Sequence, residues 1–551
     1  MSTASSERAE LPNSVHHLPT GSIARRRTNQ SQWLELTLGV RRLNDLPDLS
    51  ALDTVLPSKR RYMTHDELET TYGSNPAAVA RIEAFAEAHH LVVLRSAPAS
   101  ARLTLGGTVA DVSAAFGVTL FNYSHPTLRD FHARTGPVSV PSELAGDITA
   151  VFGFNNHRIL RRKHQLRNAE TANPTNESHP WFVPTKLAQV YNFPDADANN
   201  QCIGLLEFGG GVEDSDLTAY FAKIGQPKPN VQVIALNDVS TEPSADPDST
   251  GEVMLDIEVV GALAGGAKVA VYFSTFDEKG LIDALSAVIN DTTNKPGVVS
   301  VSWGWDENQP LQNGILWSPA AMDHVNHSML AAAHLGITVC VSTGDDGAEA
   351  QIKDGRAHVN FPATSPYVLA VGGTTLHVKS TSNGQAHVAE VVWNDGPGDG
   401  TGGGISDITP VPDWQKGIVP PSINPGHFAG RGIPDVAANA DPKTGYLVMS
   451  GGKFGIVGGT SAAAPLWGSL ITRINALIGS PAGNFNALLY STFGPASVAP
   501  GGPRSPLRDI VTGNNDTDQL LDGQFAAGKG WDACTGWGVP DGTNLLAALK
   551  G

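Results

Sequence analysis

A series of short apolar runs between residues 201 and 374 constrains this chain more than any other feature. QCIGLLEF, VQVIALN, AKVAVYFS, GVVSVSWG, GITVCVSTG and YVLAVGGT are rich in Val and Ile, and each is long enough for one buried strand. Helix-patterned segments such as GEVMLDIEVVGALAGG and MDHVNHSMLAAAHLG lie between several of them. Apolar strands alternating with helices predict an α/β fold with a mostly parallel central sheet covered by helices. Reactive groups in such folds gather at the carboxyl ends of the strands.

A different pattern precedes this region. SQWLELTLGVRR is strand-like, and THDELETTYGSNPAAVARIEAFAEAHH is helical, with Thr64 as its cap and Glu67 three residues on. LVVLR and ARLTLGGTVADVSAAFG follow, and VFGFNNHRI closes the unit as a strand. RRKHQLRNAETANPTNESHP, residues 161–180, is polar, basic and without periodicity, the composition of a flexible linker. At 551 residues the chain is too long for one ordinary core. The expected division is therefore 1–160, a linker over 161–185, and 186–551.

Charge separates the units as well. Residues 1–170 hold 19 Lys and Arg against 16 Asp and Glu, and nine of the 17 histidines; the remainder holds 18 against 38. A weakly basic unit joined to an acidic one predicts mutual attraction, and the acidic unit argues against nucleic acid as a ligand. No apolar run reaches the roughly 18 residues of a membrane span. The N-terminus lacks the apolar stretch of a conventional signal peptide. Three cysteines cannot all pair within one chain, and no CxxC spacing suggests zinc or redox chemistry.

The candidate chemistry is mostly carboxylate. Glu252 and Asp256, four residues apart in a helical pattern, share a face among apolar neighbours. Buried together they would repel and raise at least one pKa; a solvated acidic stripe is the alternative. Asp345 in STGDDG follows a strand and is either a turn former or a strand-end active-site carboxyl. Glu207 closes another strand. LLEFGGGVED fails the G-x-G-x-x-G spacing, so no nucleotide site is expected there. Ser461 stands between glycines and an alanine-rich helix in VGGTSAAAPLW, as a cap or as a nucleophile. No histidine is obviously placed to activate it, although a Ser–His–Asp triad stays open.

GEVMLDIEV, VSWG, STGDDG, FPATSPYVLAVGGT, GTGGGISD, GIPDVAANADPKTGY, VGGTSAAAPLW and DI…GKGWDACTGWG occur in this order. The combination resembles the sedolisins, the serine-carboxyl peptidases, over nearly the whole chain. The resemblance implies a subtilisin-like catalytic domain behind an α+β, ferredoxin-like propeptide that inhibits it and assists folding. It implies Ser461 as nucleophile, Glu252 as general base, Asp256 as the carboxyl that supports Glu252, and Asp345 as the oxyanion-stabilising acid. Glu207 and Trp303 resemble an extension of that hydrogen-bond network. Gly402, Gly403 and Gly404 resemble a cleft wall. Asn360 stands where related enzymes carry an aspartate that selects basic side chains.

A structural calcium ion is implied too, held by Asp509 and Asp532 and by the carbonyls of Ile510, Gly528 and Gly530. The expected activity is acid endopeptidase action on proteins or peptides, with self-cleavage in the linker. A tripeptidyl exopeptidase and a Ser–His–Asp subtilase are the alternatives. The expected partners are substrates and the chain's own propeptide, with no membrane and a monomeric mature enzyme. Secretion into an acidic environment is implied.

Overall fold

The computed structural model describes residues 7–126, 128–162, 165–167, 181–307, 317–380, 386–497 and 505–551. Its central sheet has eight strands. Seven run parallel in the order Asn230–Ala235, Lys268–Ser274, Cys202–Phe208, Val298–Val301, Thr338–Ser342, Leu369–Ser380 and Val436–Asn439. Ala386–Val392 adds an antiparallel strand to Leu369–Ser380. All six apolar runs become strands of this sheet. Asn230–Ala235 differs from the expected buried strand because it lies at the sheet edge and is largely exposed.

Two helices bring chemistry to the sheet. Pro247–Leu263 is buried on every face from Glu252 onward, since it packs against the sheet on one side and against the Thr460–Ile478 helix on another. Thr460–Ile478 starts abruptly after the Lys453–Gly458 strand. Gly459, at φ +124°, makes the turn that a side chain would resist.

The N-terminal unit is a separate mixed α/β domain. Its antiparallel sheet has the order Val92–Ala97, Arg102–Thr108, Trp33–Val40, Ile148–Phe152. The single helix expected after Thr64 is two helices, His65–Tyr72 and Pro76–Ala88. Thr64 caps the first through the Glu67 amide at 3.0 Å. Gly73 ends it, and Asn75 caps the second just before Pro76, which cannot donate an amide bond.

This domain docks through side-chain hydrogen bonds, several of them to or from charged groups, as well as through ion pairs. Thr37 bonds Asp283 at 2.8 Å, Ser100 meets Ser286 at 2.6 Å, and Arg102 reaches the His324 carbonyl at 3.3 Å. Among the described residues the ion pairs between the two units are Arg158–Asp246 at 3.2 Å and Arg162–Asp248 at 3.6 Å. Both involve the segment that opens the linker. That segment is ordered, contrary to its loop-like composition. Arg161–Arg162 pairs antiparallel with Trp303–Asp306, and Gln165–Arg167 with Lys453–Gly458. The second unit's strands supply hydrogen-bond partners that the local sequence does not specify. The rest of the expected linker, residues 163–164 and 168–180, lies outside the described residues.

Candidate active site

Ser461 is the second residue of its helix and fully buried. Helix N-termini leave amide donors unsatisfied. Here the Thr460 amide is taken by Asp345 Oδ1 at 2.8 Å, and the Thr460 hydroxyl reaches the same oxygen at 2.8 Å. Asp345 stands three residues past the Thr338–Ser342 strand, where the parallel sheet was expected to deliver reactive groups. Burial, the largest influence, pushes its carboxyl well above the usual range despite the Thr460 bonds, and Glu252 is among the nearby charges that push the same way.

The Ser461 hydroxyl donates to the Ser302 carbonyl at 3.4 Å. The Ser302 hydroxyl donates to Asp256 Oδ2 at 2.7 Å and lies 3.3 Å from the Ser461 carbonyl. That carbonyl is free of its ordinary helix partner because residue 465 is proline, which has no amide hydrogen. Behind Asp256, the Trp303 indole donates to Glu207 Oε2 at 2.9 Å. Glu207, Glu252 and Asp256 are all fully buried. Burial first, then repulsion from Glu252, drives the Glu207 carboxyl well above the usual range, and burial followed by repulsion from Glu207 and Glu252 does the same to Asp256. The two also hydrogen-bond each other, which requires a shared proton.

The structure thus gathers Ser461, Glu252, Asp256, Asp345, Glu207 and Trp303 in one buried cluster. No histidine is a partner of Ser461, Asp256 or Asp345 among the described residues. Two connecting residues escaped the sequence reading. Ser302 precedes Trp303 in VSWG, and Thr460 precedes Ser461; each is a hydroxyl beside a singled-out residue, the one signal that could have found them.

Asn360 is buried and donates to the Thr343 carbonyl at 2.7 Å, beside the Asp345 loop. The neighbouring glycines are packed against the chain itself. A Cβ on Gly402 would meet Thr343 O at 2.3 Å, and one on Gly403 would meet Ala533 O at 2.1 Å. The requirement for glycine at these two positions is therefore set by close backbone packing.

The calcium expectation is corrected. Among the described residues no group of three or more His, Cys, Asp or Glu converges to hold a metal ion. Asp532 instead accepts from the amides of Cys534 at 3.0 Å, Thr535 at 2.9 Å and Gly528 at 3.1 Å, and Asp509 accepts from the Gly530 amide at 2.9 Å. These carboxyls close the loop through backbone donors, with Ile510 buried beneath them.

A parallel α/β sheet with a serine at the start of the helix behind it, fed by buried carboxyls, defines a subtilisin-like serine peptidase. Family models agree: "Pro-kumamolisin, activation domain" matches residues 20–157 and "Subtilase family" matches residues 237–530. Kumamolisin of Bacillus sp. (strain MN-32) is 41% identical over 506 residues, covering 90% of this chain and 87% of the relative. Sedolisin of Pseudomonas sp. (strain 101) is 29% identical, covering 89% and 82%. The solved structure of Pseudomonas sedolisin complexed with two molecules of pseudo-iodotyrostatin aligns with a TM-score of 0.55 at 29% identity, over 67% of this chain and 98% of that one. The chain belongs to the sedolisin family of serine-carboxyl peptidases, as an acid-active endopeptidase preceded by its activation domain.

Proposed function

We propose that Ser461 attacks the peptide carbonyl while Glu252 accepts its proton, and that Asp345, in its acid form, donates to the oxyanion that develops. The observation that carries this reading is the buried Asp345 carboxyl. Its Oδ1 is fixed by Thr460, while its Oδ2 is buried and has no hydrogen-bond partner among the described residues. A protonated Oδ2 can donate to an oxyanion; an ionised one would repel it. Protonated Glu252 then assists departure of the amine, and water hydrolyses the acyl-enzyme by the reverse arrangement. Asp256 supports Glu252, with Glu207 and Trp303 extending the proton-sharing network. A protonated Asp256 can donate to Ser302, whose hydroxyl then turns to the Ser461 carbonyl.

Residues 1–160 act as the propeptide, 161–185 as the linker containing the maturation bond, and 186–551 as the catalytic domain. The propeptide's strand–helix–hairpin–helix–strand order, with the first and third strands central, supports a ferredoxin-like reading. Autocatalysis in cis is supported by the two linker strands, one beside Trp303 and the other beside the strand leading to Ser461. No helix among the described residues is long and apolar enough to cross a membrane. The substrates are proteins and peptides, not nucleic acid, and the mature enzyme works as a monomer, secreted into an acidic environment. Incubating purified protein with an internally quenched peptide library from pH 2 to 8, with product masses read out, tests the reading. Internal cleavage confined to acid supports it. Release of N-terminal tripeptides alone, or equal activity at pH 8, contradicts it.

A further inference from the structure

The segment Arg158–Arg162, RILRR, crosses from the prodomain onto the catalytic domain. The amides of Ile159 and Leu160 both donate to the Phe276 carbonyl, at 3.0 and 3.1 Å. Beyond them the chain becomes a strand on the active-site edge, with Arg161 opposite Gly304 and Arg162 opposite Trp303. In that position the Arg161 guanidinium carbon lies 3.0 Å from the centroid of the Trp305 indole. The Asp346 carboxylate also acts favourably on the Arg161 charge, against the effect of burial.

We propose that Trp305, with Asp346 nearby, forms a specificity-determining subsite for a guanidinium or ammonium side chain of the substrate. The inference rests on the serine-carboxyl peptidase reading of Ser461. The register fixes the position. A substrate strand on Trp303–Asp306 has one residue opposite Ser302, whose carbonyl accepts the Ser461 hydroxyl. That residue presents its carbonyl to the nucleophile. A residue opposite Gly304 is then the third before the cleaved bond, the place Arg161 takes against Trp305.

Indole is the aromatic face that binds cations best, and guanidinium stacks on it with little loss of hydration. When the prodomain leaves, Arg161 leaves with it and this face opens to substrate. The subsite does not need a carboxylate at position 360, where this chain has Asn360. Selection of a basic residue therefore shifts to the third position and to an aromatic floor.

The test uses acid-activated enzyme prepared from the full chain. Two internally quenched peptides differ only in Arg or norleucine at the third residue before the cleaved bond, and the readout is the ratio of their kcat/KM values. Wild type is expected to favour Arg by about tenfold. Trp305→Leu should bring the ratio close to one, Trp305→Phe should leave an intermediate value, and Asp346→Asn should lower it partly. The ratio cancels any general loss of activity. If Trp305→Leu fails to mature, Trp305→Phe and Asp346→Asn decide. A ratio near one in wild type, or an unchanged ratio in the Trp305 variants, overturns the proposal. Failure of wild type to cleave either peptide in acid contradicts the parent reading instead.

Discussion

Thr460 gives both of its donors, amide and hydroxyl, to one oxygen of Asp345, each at 2.8 Å. Thr460, the residue before the proposed nucleophile, thereby fixes the orientation of the Asp345 carboxyl. One oxygen is held and the other, Oδ2, is buried with no hydrogen-bond partner among the described residues. A side chain held in this way costs little reorganisation when the oxyanion forms.

Asp345→Ala should lower kcat by about 100- to 1000-fold, the usual cost of one oxyanion donor. Asp345→Asn should lose less, because the amide oxygen can keep the Thr460 bonds while the NH2 group donates without needing an acid proton. Its alkaline limb should also move upward. In wild type the Asp345 carboxyl is raised by burial, so it holds its proton through acid pH and activity falls as pH rises through its folded pKa. Profiles of kcat/KM from pH 2 to 8 check both variants, and an Asp345→Ala enzyme with wild-type kcat would falsify the role.

Glu252→Gln should reduce kcat by roughly 100-fold or more, since general-base assistance is worth about that much. A Ser–His–Asp enzyme would keep most of its activity. Ser461→Ala, incubated alone in acid, should stay full length by mass spectrometry. Maturation at the wild-type rate would remove self-cleavage from the account.

Ser302→Ala should act on both activity and stability. It removes the 2.7 Å donor to the buried Asp256 and the only hydroxyl near the Ser461 carbonyl among the described residues. Losing a buried partner of this kind costs about 1–3 kcal/mol. We expect a lower thermal midpoint together with reduced kcat at unchanged KM. A change in KM alone would mean that Ser302 touches substrate binding instead.

The architecture was legible because buried parallel strands write themselves as continuous apolar runs, and Cys202–Phe208, Lys268–Ser274 and Thr338–Ser342 all do so. Glu252, Asp256 and Asp345 stood out because carboxylates among apolar neighbours need a reason. Ser302 and Thr460 did not, since a hydroxyl can be buried cheaply once it finds a partner, and that partner is distant in sequence. The linker strands were illegible for a similar reason, because their pairing is supplied by Trp303–Asp306 and Lys453–Gly458. The calcium site failed because Asp509 and Asp532 looked like paired ligands in sequence, whereas folding points each at backbone amides. Charge balance between the units anticipated charged groups at their interface, such as Asp283 bonded by Thr37 and the Arg158–Asp246 pair, but could not locate them.

The prodomain histidines make acid release a matter of sign. His157 is buried against the rings of His16, at 5.1 Å, and Phe131, at 5.5 Å. It lines a cavity of about 380 Å³ that Asp246 and Phe276 of the catalytic domain also line. Burial, with a further push from His125, lowers its pKa to about 4; burial likewise lowers His16, next to His157 and Arg134. A histidine kept neutral in the fold takes up its proton first in the unfolded chain. Its penalty is absent above about pH 6.5 and grows as pH falls toward 4, to roughly 3 kcal/mol for a shift of this size. In the Ser461→Ala chain, the prodomain's thermal transition should therefore fall steeply between pH 6.5 and 4. His157→Gln, which cannot titrate there, should flatten that slope while leaving the midpoint at pH 7 nearly unchanged. Equal slopes in the two proteins would show that acid loosens the prodomain through other groups.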